Sequence, residues 1–155
     1  MPEFPSEFPV VPRPEAMPAA VAHHESMVLF KLGNWVQASI DAVLAPEGLK
    51  SRHYSTMSVL RDKGPWAQHA VADKLRIDKA TMVAIINELE QRGFVGRERD
   101  PADRRHYTIW VTPEGLAWLT DAEKLISAVE DDVFSPLSAA ERRTLLKLMN
   151  ALFGP

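Results

Sequence analysis

Cysteine is absent from the 155 residues, which excludes disulfides, thiolate metal sites and cysteine redox sensing together. No apolar run approaches the roughly 18 residues that a membrane span requires. The first residues are acidic and broken by proline, unlike a secretory leader, so the expected location is the cytoplasm, away from membranes. Also missing are a Gly-rich phosphate loop, a Ser/His/Asp arrangement in a recognisable context, and paired carboxylates with a plausible cleft. No catalytic residue is assigned, and an enzyme is not expected. The five histidines, His23, His24, His53, His69 and His106, never recur four apart as paired ligands on one helix would. Neither a metal site nor another cofactor is therefore expected.

What the chain does contain is enough apolar material for a core, 46% of its residues, in a length that suits one domain with an extension. Its net charge of −3 conceals an asymmetry. From Lys50 to Thr112, twelve Lys and Arg face eight Asp and Glu, whereas the remainder holds six against thirteen. A basic middle between acidic flanks is the electrostatic footprint of a subregion that meets phosphate.

Six of the twelve prolines fall in residues 1 to 18, a composition that favours extended chain over helix. This is an arm, free or packed through Phe4, Phe8, Val10 and Val11. Val28, Leu32, Trp35, Ser39 and Val43 recur at helical spacing, predicting a helix from Ala19 to Leu44. Leu29, Phe30, Val36 and Ile40 widen its stripe, so two buried sides are expected. A second helix fits Ser51 to Asp62 and a third Trp66 to Leu75. Asp78 and Gly93 mark the start and stop of a fourth, with Met82, Ile85, Ile86 and Leu89 turned inward. Two short helices across so tight a turn form a helix-turn-helix.

Strand-like runs from Phe94 to Arg99 and Arg105 to Val111 then flank a polar tip, predicting a β-hairpin. Thr112 and Pro113 open a long helix to about Phe134 through Leu116, Leu119, Ile126, Val129 and Val133. Ser138 and Glu141 form a capping box for a last helix rich in leucine. The acidic run Glu130, Asp131 and Asp132 sits unfavourably near a helix C-terminus. It reads as a solvated face, or as repulsion that shapes a dimer. Helix-turn-helix followed directly by a hairpin is a winged helix: one helix enters the major groove and the wing reaches an adjacent minor groove, where arginine is favoured.

In this order the segments "HAVADKLRIDKATMVAIINELEQRGFV", "RDPADRR" and "VTPEGLAWL" resemble the MarR family of transcription regulators, from about residue 20 to the C-terminus. The resemblance implies a mainly α fold with a small β-hairpin wing. A MarR-like domain would span 19–155, with the winged helix-turn-helix at about 50–112 and dimerisation helices at about 19–45 and 113–153. It implies a homodimer on double-stranded DNA, and small aromatic or phenolic ligands that bind between interface and lobes and release the DNA.

Carried over residue by residue, the family's wing motif falls on Asp103 and Arg105. Arg105 becomes the minor-groove contact and Asp103 its charge-assisted holder; Arg104 is the alternative, and a plain surface ion pair is the bland one. Arg97 and Arg99 would touch phosphate or simply carry solvated charge. The fourth helix presents Lys79, Thr81 and Asn87 as polar readers beside apolar Ala80, with Val83 and Ala84 where relatives often carry Thr and Arg. Those apolar positions would contact thymine methyls, or else mark weak or altered DNA binding. Glu88 occupies another commonly basic place, and Ala67 a usual Thr or Ser cap. His53, Trp35 and Met57 would line a ligand pocket with one polar group among apolar walls, core packing being the alternative for Trp35 and Met57. The expected function is a ligand-responsive repressor on a pseudo-palindromic operator. The alternative is a winged-helix interaction module with weak or lost DNA binding.

Overall fold

A computed structural model of the chain describes residues 11–101 and 103–153. Its element order is α1 (Glu25–Leu44), a short 3-10 turn (Ala45–Glu47), α2 (Ser51–Lys63), β1 (Trp66–Ala67), α3 (Gln68–Leu75), α4 (Lys79–Gln91), β2 (Val95–Arg99), β3 (Tyr107–Val111), α5 (Pro113–Val133) and α6 (Ala139–Ala151). The fold is mainly helical with one small antiparallel sheet of order β1-β3-β2. Phe4, Phe8 and Val10 lie outside the described residues.

Local chemistry sets most boundaries. The Asp78 carboxylate accepts the Thr81 amide at 2.9 Å to start α4, and Gly93 ends its final turn at φ 73°, a conformation that costs glycine little. The Thr112 hydroxyl caps α5 by accepting the Gly115 amide, while Ser138 and Glu141 make the reciprocal box expected for α6. Ala67 precedes α3 and offers no side-chain cap.

Three expectations need correction. The third helix starts at Gln68, because Trp66 and Ala67 pair with Ile109 and Thr108 as a third strand. The first helix starts at Glu25, with residues 19–23 in a turn and His24 as its N-cap. Finally, α1 buries one side only: Trp35, Ser39, Val43 and Leu44 are inside, whereas Met27, Leu29, Phe30 and Leu32 are exposed. Among the described residues no element covers that second side.

The core runs between α2, α4, β3 and α5 through Met57, Leu60, Ile86, Leu89, Ile109 and Leu119. The N-terminus of α5 presses on the base of the wing, where the Thr112 amide donates to the Phe94 carbonyl at 3.0 Å and its hydroxyl donates to the Gly93 carbonyl at 2.6 Å. Across the sheet, Gly96 faces Trp110; a Cβ on Gly96 would lie 2.5 Å from that indole. Residues 11–15 form a strap. Arg13 donates to the carbonyls of Asp132 and Val133 at 2.7 and 3.1 Å and lies over the Trp35 ring. The Trp35 indole in turn donates to the Val11 carbonyl. The acidic end of α5 is thereby offset by Arg13, and by Arg142, which pairs with Asp131 at 2.9 Å.

Candidate nucleic-acid interface

The tip of the wing is closed by backbone bonds from Asp100 N–H to the His106 carbonyl and from His106 N–H to the Asp103 carbonyl. On it Asp103 grips Arg105 with both oxygens: Nε donates to Oδ1 at 2.9 Å and Nη2 to Oδ2 at 2.7 Å. The Arg105 side chain is 86% exposed, so the carboxylate aims the guanidinium outward without hiding it. The guanidinium, with the Arg105 amide, holds the Asp103 carboxyl down at about 2. Arg104 is exposed too, but its carbonyl accepts from Arg99.

Arg97 and Arg99 are occupied within the chain. Both stand over the Tyr107 ring, and Arg97 further donates to Asn87 Oδ1 at 2.8 Å and pairs through Nε with Glu90 at 2.9 Å. Arg97 therefore ties β2 to α4 and sets the angle between helix and wing. On α4, Lys79, Ala80, Val83 and Ala84 are exposed, while Thr81 and Asn87 are half-buried. The opposite face, Met82, Ile85, Ile86 and Leu89, is buried as expected.

Between α3, α4 and the wing runs a groove of about 680 Å³ that includes Gln68, His69, Lys79, Val83, Arg105 and His106. The His69 and His106 rings meet at 4.7 Å across it. Gln68, His69, His106 and Tyr107 escape sequence reasoning, since only the fold brings α3 beside a wing more than thirty residues away. Basic groups, an apolar side chain of α4 and an outward arginine thus share one side of the lobe.

Comparison with known proteins places this arrangement. The family model described as "MarR family" matches residues 49–107. A putative transcriptional regulatory protein for the hcr operon of Thauera aromatica is 31% identical over 111 residues, covering 72% of this chain and 67% of that one. The chain belongs to the MarR family. This MarR-family transcriptional regulator is also 30% identical to the HTH-type transcriptional repressor NicR of Pseudomonas putida, over 67% of this chain and 66% of the relative. Its fold matches a crystal structure of a MarR-family transcriptional regulator from Rhodococcus sp. RHA1 with a TM-score of 0.81 at 26% identity, covering 89% of this chain and 98% of that one.

The three residues expected around a ligand are all buried in this MarR-family chain: Trp35, His53 and Met57. None borders the groove beside the wing. His53 does not turn to Trp35 for its polar partner. Its Nδ1 accepts the Lys50 amide at 3.0 Å, capping α2, so Nε2 carries the proton and donates to Glu88 on α4 at 2.8 Å. Burial pushes the His53 pKa below its ordinary value, against the opposing pull of Glu88. Neutral His53 therefore links α2 to α4. Among the described residues no group of three or more His, Asp and Glu could hold a metal ion, and no helix is long and apolar enough to cross a membrane.

Proposed function

We propose that this regulator is a cytoplasmic homodimer that represses transcription by placing α4 in the major groove and Arg105 in the flanking minor groove of each half-site. The clamped, outward Arg105 carries the reading, and the basic groove beside it supports the approach of phosphate. Lys79, Thr81 and Asn87 with Ala80, Val83 and Ala84 form the major-groove face, while Arg104 and Arg99 lie nearest the backbone. Repression as the direction of control is supported by the name of the Pseudomonas putida relative.

Dimerisation draws on the uncovered side of α1 and on α6. The latter has no buried residue of its own and leaves Leu146 and Leu148 exposed. Isolated helices shorter than about 12 to 15 residues are marginal in water, so a 13-residue α6 needs a surface to pack against. The winged lobe at about 50–112 and flanking helices at about 19–45 and 113–153 then divide reading from assembly.

An aromatic acid fits the ligand role through His53, whose Nε2–H is already held by a carboxylate. A ligand carboxylate that replaces Glu88 there would free α4 from α2, and it regulates only if it favours the lobe arrangement that misses DNA.

Selection of genomic fragments with the purified protein should enrich a two-fold symmetric sequence with half-sites about one helical turn apart. Arg105→Ala should then weaken binding to it by about tenfold to a hundredfold at matched salt, with wild-type stability. Undiminished affinity of that variant would remove Arg105 from the interface. Absence of any enriched sequence would favour an interaction module instead.

A further inference from the structure

Four residues of α4, Ala80, Val83, Ala84 and Asn87, recur at the spacing that shares one helix face, opposite the buried Met82, Ile85, Ile86 and Leu89. Three of them are apolar and exposed, Val83 at 36%. The fourth has its orientation dictated from the wing. Arg97 Nη1 donates to Asn87 Oδ1 at 2.8 Å, and a guanidinium has only donors to offer. The amide oxygen must therefore face Arg97 and give it one lone pair, which leaves the two Nδ2 hydrogens as the groups Asn87 most freely presents. Arg97 is itself held by Glu90 through Nε at 2.9 Å and by the Tyr107 ring, so the amide is poised before any DNA arrives.

We infer that this face is built to read thymine, with Asn87 donating to O4 while Val83 and the flanking alanines receive the 5-methyl groups. An asparagine recognises adenine by accepting from N6 and donating to N7 together, and here the acceptor is turned to Arg97. Cytosine presents an amino donor in the major groove against the Nδ2 hydrogens. Guanine offers acceptors but no methyl for Val83 to cover. Thymine alone combines an acceptor with an adjacent methyl. The neighbouring acid is kept out of the way, since Glu88, a carboxylate that would favour the cytosine amino group, is bonded to His53 at 2.8 Å. Arg97 is thus a positioning residue for specificity, and no phosphate contact is required of it.

The inference rests on α4 being the major-groove helix proposed above, and the test separates the two. On the selected operator, each half-site thymine is replaced in turn by deoxyuridine, which removes only the methyl. At the thymines under Val83 and Ala84, affinity should fall about fourfold per methyl, the value of one buried methylene-sized group. Val83→Ala should bind the thymine operator more weakly and lose its response to deoxyuridine at one of those positions. Arg97→Met, checked for unchanged thermal stability, should let adenine compete with thymine at the base pair read by Asn87. If deoxyuridine at every position binds as well as thymine, the thymine reading is overturned while α4 in the groove stands. If no operator is selected at all, both fall.

Discussion

Replacing Gly115 by alanine sets helix propensity against packing, with opposite signs. Gly115 lies in the first turn of α5, where alanine is favoured over glycine by about 1 kcal/mol in a helix interior. Yet a Cβ built there would stand 2.1 Å from the Phe94 carbonyl oxygen, 2.8 Å from Val111 Cγ1 and 3.0 Å from Met57 Cε. The first of these is backbone, and it already accepts the Thr112 amide that seats α5 on the wing. To admit the methyl, α5 must lift from the wing. Overpacking of this kind costs about 1 to 3 kcal/mol, more at the upper end when backbone must move. Weakening the Thr112 bond adds about 1 kcal/mol. After subtracting the propensity gain, Gly115→Ala should destabilise the fold by about 3 kcal/mol. For a chain of this length that lowers the melting temperature by about 6 to 12 °C. Urea unfolding followed by tryptophan fluorescence is a suitable assay, because Trp118 and Trp110 sit on either side of the joint. A variant as stable as wild type, or more stable, would refute the close approach of α5 to the wing.

His53→Ala should cost about 3 kcal/mol in urea unfolding, from the lost α2 cap, the lost Glu88 bond and the cavity left behind. Because the folded-state pKa of His53 is lowered, its contribution is fully present above the unfolded value of about 6.5. It fades as pH falls through the folded value, so the variant should show a flatter stability profile over that window. Asp103 should titrate by NMR near 2, well below the ordinary value of about 3.9; a midpoint at the ordinary value would mean that the arginine clamp is open in solution. Leu148→Glu, on the exposed side of α6, should sediment at half the wild-type mass with its helical content retained. A persistent dimer would exclude α6 from the interface.

Features governed by near neighbours are legible in the amino-acid sequence itself. The caps at Asp78, Thr112 and Ser138 each involve a partner three residues on, and the inward stripe of α4 follows from helical spacing alone. The Asp103–Arg105 pair is equally local. What the sequence conceals depends on distant partners. Trp66 and Ala67 look like the start of a helix until β3, about forty residues later, supplies their hydrogen bonds. Arg97 reads as a phosphate contact or a solvated strand charge, because its engagement with Asn87 requires the wing to fold back onto α4. His53 and Glu88 are 35 residues apart, and nothing in either segment announces the other. The apolar width of α1 is plain from its spacing, but only the folded chain shows that half of it stays uncovered by the described residues.

The strap at residues 11–15 bears on how the chain comes apart. Arg13 and Val133 are 120 residues apart in sequence, among the longest loops the chain can close. Helix-turn-helix and hairpin can assemble from local contacts, whereas this closure must wait for both ends of the molecule. Contacts that are absent from the folding transition state slow unfolding and leave the folding rate almost untouched. The Arg13 guanidinium, seated on Trp35 and the last carbonyls of α5, has the placement of such a late contact. Arg13→Ala should therefore unfold faster than the wild-type chain while folding at nearly the same rate.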